Sequence, residues 1–308
     1  VATSLIDAHA GALALLAAGA CLGNAGGEKA LTGKLAVVSG TSSCHLICSS
    51  TRHDVPGVWG PYYSALLPGC WLAEAGQSAT GSLIDHVIRS HPALDTSVPK
   101  DKLAEWVEGL LQQTAASRGL SDPTTLTRHL HVYPDHHGNR SPLADPTMTG
   151  MVCGLTLSAG EEDLALQYLA TVQAIAYGSR AILERLRACG HSVSAVLLCG
   201  GLAQSQLFTQ THADVMGVDV LVPVLQQQSV VRGAAMLAAV AAPSGTAAAG
   251  GAVAAPGPDR MTSVLQQMAG TMSTTAPNSR HVRFHDKKYG VYQKMQEDQL
   301  AYRRMMTQ

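Results

Sequence analysis

An apolar run that ends in two glycines, residues 195–201, constrains the fold of this chain more than any other stretch. Its first five residues, Ala-Val-Leu-Leu-Cys, have the length of a buried strand, and an amphipathic pattern follows the glycines. This order predicts a strand, a tight turn and a helix. Because glycine leaves the backbone uncovered and a helix start offers unpaired N–H groups, the turn could bind a nucleotide. The alternative is an ordinary turn with glycine at a crowded position, which the pair in isolation favours.

Composition excludes several classes of partner. The 308 residues are 46% hydrophobic and 14% charged, which is typical of a folded protein with one large or two ordinary domains. The formal net charge of -1 gives no electrostatic reason to expect nucleic acid or an anionic membrane as a partner. The seven cysteines include no Cys-x-x-Cys pair, so we expect free thiols and a cytoplasmic protein.

The N-terminal residues do not have the pattern of a targeting segment. The apolar run at residues 11–20 is too short to span a bilayer, and no Lys or Arg precedes it as in a signal peptide. The chain does not begin with methionine and is already apolar at Val1, so we expect that further residues precede it.

The remaining pattern predicts a layered α/β domain. Residues 35–38 and 44–48 are predicted as two strands of a hairpin, and residues 58–63 as a third strand. We interpret residues 71–88 as a Gly/Ser/Thr-rich entry into a helix. Further helices are predicted over residues 100–118, 163–189, 230–240 and 280–308. Another helix is predicted from the Gly-Gly turn to about residue 216, and a strand is predicted at residues 218–222. This order indicates a mixed sheet with crossover helices rather than a doubly wound parallel sheet.

Three polar stretches have a chemical interpretation beside a structural one. Asp7 precedes a helical run of small residues and is either an N-cap, which the spacing favours, or a catalytic carboxylate. The Ser-Gly-Thr-Ser-Ser turn at residues 39–43 is either an ordinary turn or a holder of phosphate oxygens. Residues 131–146 contain three histidines and two aspartates, but their spacing matches no recognised ligand pattern, and we predict no metal site.

Seven motifs occur in an order that resembles the C-terminal domain of FGGY carbohydrate kinases, in particular their ribulokinase-like branch. They are residues 6–11 (Ile-Asp-Ala-His-Ala-Gly), 39–42 (Ser-Gly-Thr-Ser), 76–81 (Gly-Gln-Ser-Ala-Thr-Gly), 138–142 (Gly-Asn-Arg-Ser-Pro), 154–157 (Gly-Leu-Thr-Leu), 200–201 (Gly-Gly) and 233–238 (Gly-Ala-Ala-Met-Leu-Ala). The resemblance implies a ribonuclease-H-like (actin-like ATPase) α/β domain with a mixed sheet, a β-hairpin start and crossover helices.

The resemblance also implies a division of the chain. Residues 1–30 would end the N-terminal domain and carry the base, and residues 31–242 would form the nucleotide-binding domain. Residues 243–279 would be an Ala/Gly/Pro-rich linker and loop, and residues 280–308 a C-terminal helix that packs on the domain.

Site residues follow from the same resemblance. Asp7 matches the general base of the family. The remaining matches are to nucleotide contacts: Gly40, Thr41 and Ser42 in the phosphate hairpin, Gly81 beside it, and Gly200, Gly201 and Ser205 at the adenosine. The resemblance implies ATP and Mg²⁺ as cofactors, with the magnesium ligands largely outside this chain. It also implies a pentulose substrate, with D-ribulose phosphorylated to D-ribulose 5-phosphate as the favoured reaction.

Three departures from the family pattern accompany the match. Ser205 stands where relatives often have Asn, His136 and His137 replace an Asp-Phe-His pattern, and no Asp-x-Gly-Thr hairpin precedes Asp7. We therefore expect this chain alone to be inactive, and a truncated nucleotide-binding module without catalysis stays open as the alternative. An actin-like or chaperone-like ATPase lobe would share the fold but would not explain residues 7–11 or 138–142.

Overall fold

A computed structural model describes residues 4–21, 31–225, 228–242 and 258–307. The strands in these ranges are β1 (Lys34–Ser39), β2 (Ser43–Ser49), β3 (Trp59–Tyr63), β4 (Trp71–Gln77), β5 (His131–Tyr133), β6 (Met151–Cys153), β7 (Ala195–Cys199), β8 (Asp219–Pro223) and β9 (Met272–Thr275). The α-helices are α1 (Asp7–Ala20), α2 (Gly81–Ser90), α3 (Leu103–Ser117), α4 (Glu161–Ala188), α5 (Gln206–Met216), α6 (Ser229–Ala241), α7 (Pro258–Gln267) and α8 (Val282–Thr307). Residues 243–257 of the predicted linker lie outside the described ranges.

Seven strands form one mixed sheet in the order β3-β4-β2-β1-β7-β8-β9. β7 pairs in parallel with both β1 and β8. The other neighbouring pairs, β1–β2, β2–β4, β4–β3 and β8–β9, are antiparallel. These directions place the carboxyl ends of β1, β4, β7 and β8 at the same end of the sheet. Ligands of open α/β sheets commonly bind at such an end.

Helices cover both faces of the sheet. On one face, Leu46 and Leu197 belong to a buried cluster with the leucines of α1. On the other, Ile47 and Val196 belong to a cluster with residues of α2, α3, α4 and α5. The C-terminal helix α8 packs against α4 through a third cluster that contains Tyr177, Tyr289 and Tyr292. The alternation of side chains along each strand therefore fills two separate apolar layers.

Helix α1 is the buried apolar run at residues 11–20, and it crosses α6 in close contact. A Cβ atom at Gly233 of α6 would lie 1.8 Å from the carbonyl oxygen of Ala10, and one at Gly11 would lie 3.1 Å from Val38 Cγ2 of β1. The small residues therefore bring the first turn of α1 to the carboxyl end of β1. Across the described ranges, no helix is long and apolar enough to cross a membrane.

The interpretation of residues 71–88 as the entry into a helix is wrong for its first half. Trp71–Gln77 is β4, an interior strand hydrogen-bonded to β2 on one side and β3 on the other, and the helix begins at Gly81. Small residues such as Ala73 and Ala75 are poor strand formers, but here they are buried beneath helices. Tertiary packing therefore decides the conformation of this segment. The short strands β5, β6 and β9 are further elements that the sequence pattern did not predict.

Candidate active site

The turn between β1 and β2, residues 40–42, is fastened to the start of α2 by its carbonyl groups. Thr80 N–H and Ser82 N–H donate to Thr41 O at 3.0 and 3.2 Å, and Gly81 N–H donates to Gly40 O at 3.0 Å. The carbonyl groups of the turn are thus held by the protein. The side chain of Thr41 is exposed, and its hydroxyl has no partner within the described part of the chain. The geometry suits a rigid turn that offers donors to a bound phosphate.

Two of the predicted nucleotide-binding glycines are required by close backbone contacts around this turn. A Cβ atom at Gly81 would lie 2.5 Å from Gly40 O, and one at Gly200 would lie 2.1 Å from Ser39 O. Gly200 also has a φ of 102° and a ψ of -177°, a region that is essentially restricted to glycine. These glycines therefore bring the β1–β2 turn, α2 and the end of β7 together whether or not a nucleotide is bound.

Gly201 and Ser205 differ in how much of each is available to a ligand. A Cβ atom at Gly201 would meet no atom within 4 Å, so the backbone there borders open space. Ser205 is the N-cap of α5: its Oγ accepts from Phe208 N–H at 3.0 Å and donates to Glu108 Oε1 at 2.6 Å. The hydroxyl of Ser205 is thus engaged by the protein, which gives this residue a structural role beside the predicted adenosine contact.

Asp7 lies on the other side of the sheet end, in the first turn of α1. Ile6 is the N-cap, and Asp7 is the first helical residue, with its Oδ1 accepting from Ala8 N–H at 2.7 Å. Asp7 is therefore not the N-cap that the spacing alone favoured. Its side chain is exposed, and an acidic group in the first turn is stabilised by the helix dipole. This position suits a carboxylate that meets a substrate.

Charged groups from three other elements surround Cys44 of β2 near Asp7. Burial raises the pKa of the Cys44 thiol, Glu74 of β4 raises it further, Arg140 opposes the rise and Asp7 adds to it. Each of the three charged groups is therefore near enough to Cys44 to affect its thiol. The structure thus brings motif residues 7 and 140 together with two residues, Cys44 and Glu74, that sequence reasoning did not select.

The position of Glu74 and Arg140 depends on contacts between segments far apart in the sequence. Glu74 Oε2 lies 2.9 Å from His9 Nε2, and both side chains are largely buried. The guanidinium of Arg140 lies 5.9 Å from the ring centroid of Trp59, and a Cβ atom at Gly76 would come within 2.9 Å of Arg140 Cδ. Gly76 therefore provides the space in which the Arg140 side chain packs against β4.

A buried polar layer supports this end of the sheet from the α4 side. Gln77 Nε2 donates to Ile175 O at 3.1 Å and to Ser179 Oγ at 2.9 Å, and His45 Nε2 lies 3.1 Å from the same Ser179 Oγ. Burial lowers the pKa of His45 to about 3, so its imidazole is neutral at physiological pH. Gln77, which belongs to the motif at residues 76–81, thus joins β4 to the longest helix.

The histidine-rich loop at residues 131–146 is organised by hydrogen bonds and packing. Asn139 Nδ2 donates to Asp135 Oδ2 at 2.7 Å, Leu143 N–H donates to Asn139 Oδ1 at 2.8 Å, and the His136 ring packs on Gly150. Throughout the described ranges, no group of three His, Cys, Asp or Glu side chains could hold a metal ion. The hydrogen bonds of Asn139 therefore fix the loop that carries Arg140, whose side chain packs against Gly76.

Comparison with known proteins decides the family. Residues 35–242 match the model of the FGGY family of carbohydrate kinases, C-terminal domain. The chain belongs to this family. It is 44% identical to an FGGY carbohydrate kinase domain-containing protein of Xenopus laevis, over 99% of this chain and 54% of the relative. It is 37% identical to a D-ribulokinase of Saccharomyces cerevisiae, over 78% of this chain and 36% of that protein.

The fold predicted from the FGGY resemblance is confirmed. A crystal structure of xylulose kinase from Rhodospirillum rubrum superposes with a TM-score of 0.68 at 19% identity, covering 96% of this chain and 50% of that one. The mixed α/β sheet is that of the actin-like ATPase fold of the FGGY kinases. The chain spans about half the length of the curated relatives it matches.

Proposed function

We propose that this chain supplies the nucleotide-binding half and the general base of an ATP-dependent pentulose kinase. The observation that carries the proposal is the convergence of Asp7 with the β1–β2 turn and the two glycine contacts at one end of the sheet. Phosphoryl transfer asks a protein mainly to position two reactants and to stabilise charge. A rigid phosphate turn and one exposed carboxylate provide those two requirements.

In this proposal, ATP binds along the carboxyl ends of β1 and β7. Its phosphates would contact the exposed face of Thr41 and the neighbouring turn amides, and its adenosine would lie against the uncovered backbone of Gly201. Magnesium would enter with the phosphates of ATP, since Mg²⁺ is commonly bound through substrate phosphates and one or two carboxylates. No step is assigned to a metal held by this chain alone.

Asp7 acts on the sugar. Its carboxylate accepts the proton of the attacking hydroxyl, the hydroxyl oxygen bonds to the γ-phosphorus, and the bond from that phosphorus to the bridging oxygen of ADP breaks. The products are the sugar phosphate, ADP and a protonated Asp7, which then loses its proton to water. The exposure of Asp7 allows both the approach of a substrate and this proton release.

The substrate class is proposed from the groups around Asp7 and from the relatives. Near the Asp7 carboxylate, the side chains of His9, Glu74 and Arg140 offer both hydrogen-bond donors and hydrogen-bond acceptors. Such a mixture suits a polyhydroxy compound. Among the relatives are a D-ribulokinase and bacterial ribulokinases. We therefore propose D-ribulose as the substrate, which is phosphorylated at its terminal hydroxyl to D-ribulose 5-phosphate. The proposed compartment is the cytoplasm, because free thiols persist there.

The experiment compares this chain alone with a chimera in which the N-terminal half of the Xenopus laevis relative precedes it. Both are incubated with ATP, magnesium and a panel of pentuloses and polyols, and ADP release is measured. We expect turnover with D-ribulose only in the chimera, and binding of a non-hydrolysable ATP analogue in both. A folded, nucleotide-binding chimera that phosphorylates no member of the panel would refute the kinase proposal and favour a nucleotide-binding module without catalysis.

A further inference from the structure

A cavity lies between α8, strand β5 and the short 3₁₀ helix Thr124–Thr127. Its volume is about 610 Å³, within the range of small-molecule sites. It is lined by Thr125, Arg128, His131, Arg283, Phe284, Lys287, Lys288 and Val291. Four of these eight side chains are Lys or Arg, one is histidine and none is a carboxylate, so the cavity is strongly basic although the whole chain is nearly neutral.

Three of the cations that line the cavity are exposed and form no ion pair with the described residues. Within the described residues, no carboxylate lies within ion-pair distance of Arg128, Arg283 or Lys287. Asp286 lies on the same helix, but it pairs with Arg180 at 2.7 Å. Adjacent cations repel one another, so an anion that binds among them would be stabilised by all three charges.

The base of the cavity is the buried side chain of Lys288. Its Nζ donates to Thr127 O at 2.7 Å, to Thr127 Oγ1 at 2.9 Å and to Leu130 O at 2.8 Å, which fits the three N–H groups of an ammonium ion. Burial lowers the pKa of Lys288 to about 7, so the charged form is costly without an anion nearby. His131 also lines the cavity, and its buried Nδ1 has no hydrogen-bond partner among the described residues.

We propose that this cavity binds a small organic phosphate, separate from the nucleotide at the sheet end. Arg128 and Arg283 have the planar geometry that binds phosphate oxygens in pairs, Lys287 adds a third charge, and Thr125 offers a hydroxyl. The ring of Phe284 and the side chain of Val291 provide an apolar surface for the body of the ligand. A sugar phosphate and a nucleoside monophosphate share this chemistry, and the experiment distinguishes them.

The test titrates the chain with inorganic pyrophosphate, ribose 5-phosphate, AMP and uncharged ribose by calorimetry. One variant carries Arg283→Gln with Lys287→Gln, two exposed substitutions that leave apolar packing intact. The matched control carries Lys294→Gln with Arg304→Gln, which removes the same charge from the same helix outside the cavity. We expect pyrophosphate and at least one of the phosphate esters to bind, ribose not to bind, and affinity to fall about tenfold or more in the cavity variant but less than about twofold in the control. Raised salt should weaken binding.

The readouts separate this site from the nucleotide site. Pyrophosphate should protect Lys287 from acetylation even when a non-hydrolysable ATP analogue is saturating, and the cavity variant should bind that analogue as the wild type does. The proposal is overturned if the cavity variant and its control bind pyrophosphate equally well. It is also overturned if the ATP analogue abolishes the protection, or if a short single-stranded oligonucleotide binds more tightly than every phosphate ester.

Discussion

The adjacent glycines after β7 allow the structural role of the turn to be separated from its role in binding. Replacing Gly200 with alanine places a Cβ atom 2.1 Å from Ser39 O, a backbone atom of β1 that cannot rotate away. The same replacement at Gly201 places the Cβ atom in open space. The two variants therefore add the same methyl group one residue apart, with opposite consequences for folding.

The structure gives a magnitude for each variant. Alanine in the conformation of Gly200 costs roughly 1–3 kcal/mol in backbone strain, and the forced contact with β1 costs roughly 1–3 kcal/mol more. We therefore expect Gly200→Ala to lower the free energy of unfolding by roughly 2–6 kcal/mol. Gly201 has no positive φ, so Gly201→Ala should leave stability unchanged or raise it by about 0.4–1 kcal/mol, because alanine reduces the conformational entropy of the unfolded chain.

Guanidinium denaturation followed by tryptophan fluorescence measures the stabilities, and titration with a non-hydrolysable ATP analogue measures binding. Gly201→Ala should weaken nucleotide binding about tenfold, as expected when a methyl group separates the ligand from the backbone. A Gly200→Ala variant within about 0.5 kcal/mol of the wild type would refute the close contact as a determinant of stability. A Gly201→Ala variant that binds the analogue like the wild type would remove Gly201 from the adenosine site.

Three further predictions concern single side chains. In the active chimera, Asp7→Asn should lower turnover about 10²- to 10⁴-fold with the affinity for the ATP analogue unchanged, and near-normal turnover would remove Asp7 from the role of base. Ser205→Ala should cost about 1 kcal/mol in the free energy of unfolding by removing the N-cap of α5, whereas Ser205→Asn should cost little because Asn caps as well; equal losses would contradict the capping role. Burial lowers the pKa of Lys288 to about 7 in the folded protein, whereas the pKa of the unfolded chain is about 10.5. Between these values the unfolded chain binds more protons than the folded protein, so stability rises with pH. From pH 7 to about 9.5, the free energy of unfolding of the wild type should rise by up to about 3 kcal/mol relative to that of Lys288→Met. Parallel pH dependence of the free energies of unfolding in the two proteins would contradict that assignment.

Local patterns were sufficient to predict much of the fold. The strand before Gly200, the hairpin around Gly40 and the long helix α4 each carry their signal within a single stretch of chain, as hydrophobic period, turn residues or length. The reasons for glycine at residues 81 and 200 depend only partly on the neighbouring sequence. The sequence predicted Gly81 and Gly200 as nucleotide contacts, and the structure adds that each is also required by backbone packing, which depends on segments distant in the sequence.

The strand β4 and the charged cluster beside Asp7 could not be predicted in the same way. β4 contains alanine, glutamate and glycine, which have low strand propensity, and only its pairing with β2 and β3 makes it a strand. Glu74 meets His9 because the register of β4 places it under the first turn of α1, which is 65 residues earlier in the chain. Spacing within a motif contains no information about such a contact.

The motif at residues 76–81 is best explained as a connection between the parts of the site rather than as a nucleotide contact alone. Gly76 makes room for Arg140, and Gln77 joins β4 to α4 in the core. Gly81 allows the start of α2 to approach the phosphate turn at Gly40. One strand end and one helix start thus connect Arg140, the core and the turn at Gly40, to which we assign the sugar side and the phosphate side of the proposed site. A substitution at Gly76, Gln77 or Gly81 should therefore lower both the free energy of unfolding of this chain and the turnover of the active chimera, because both depend on the same contacts.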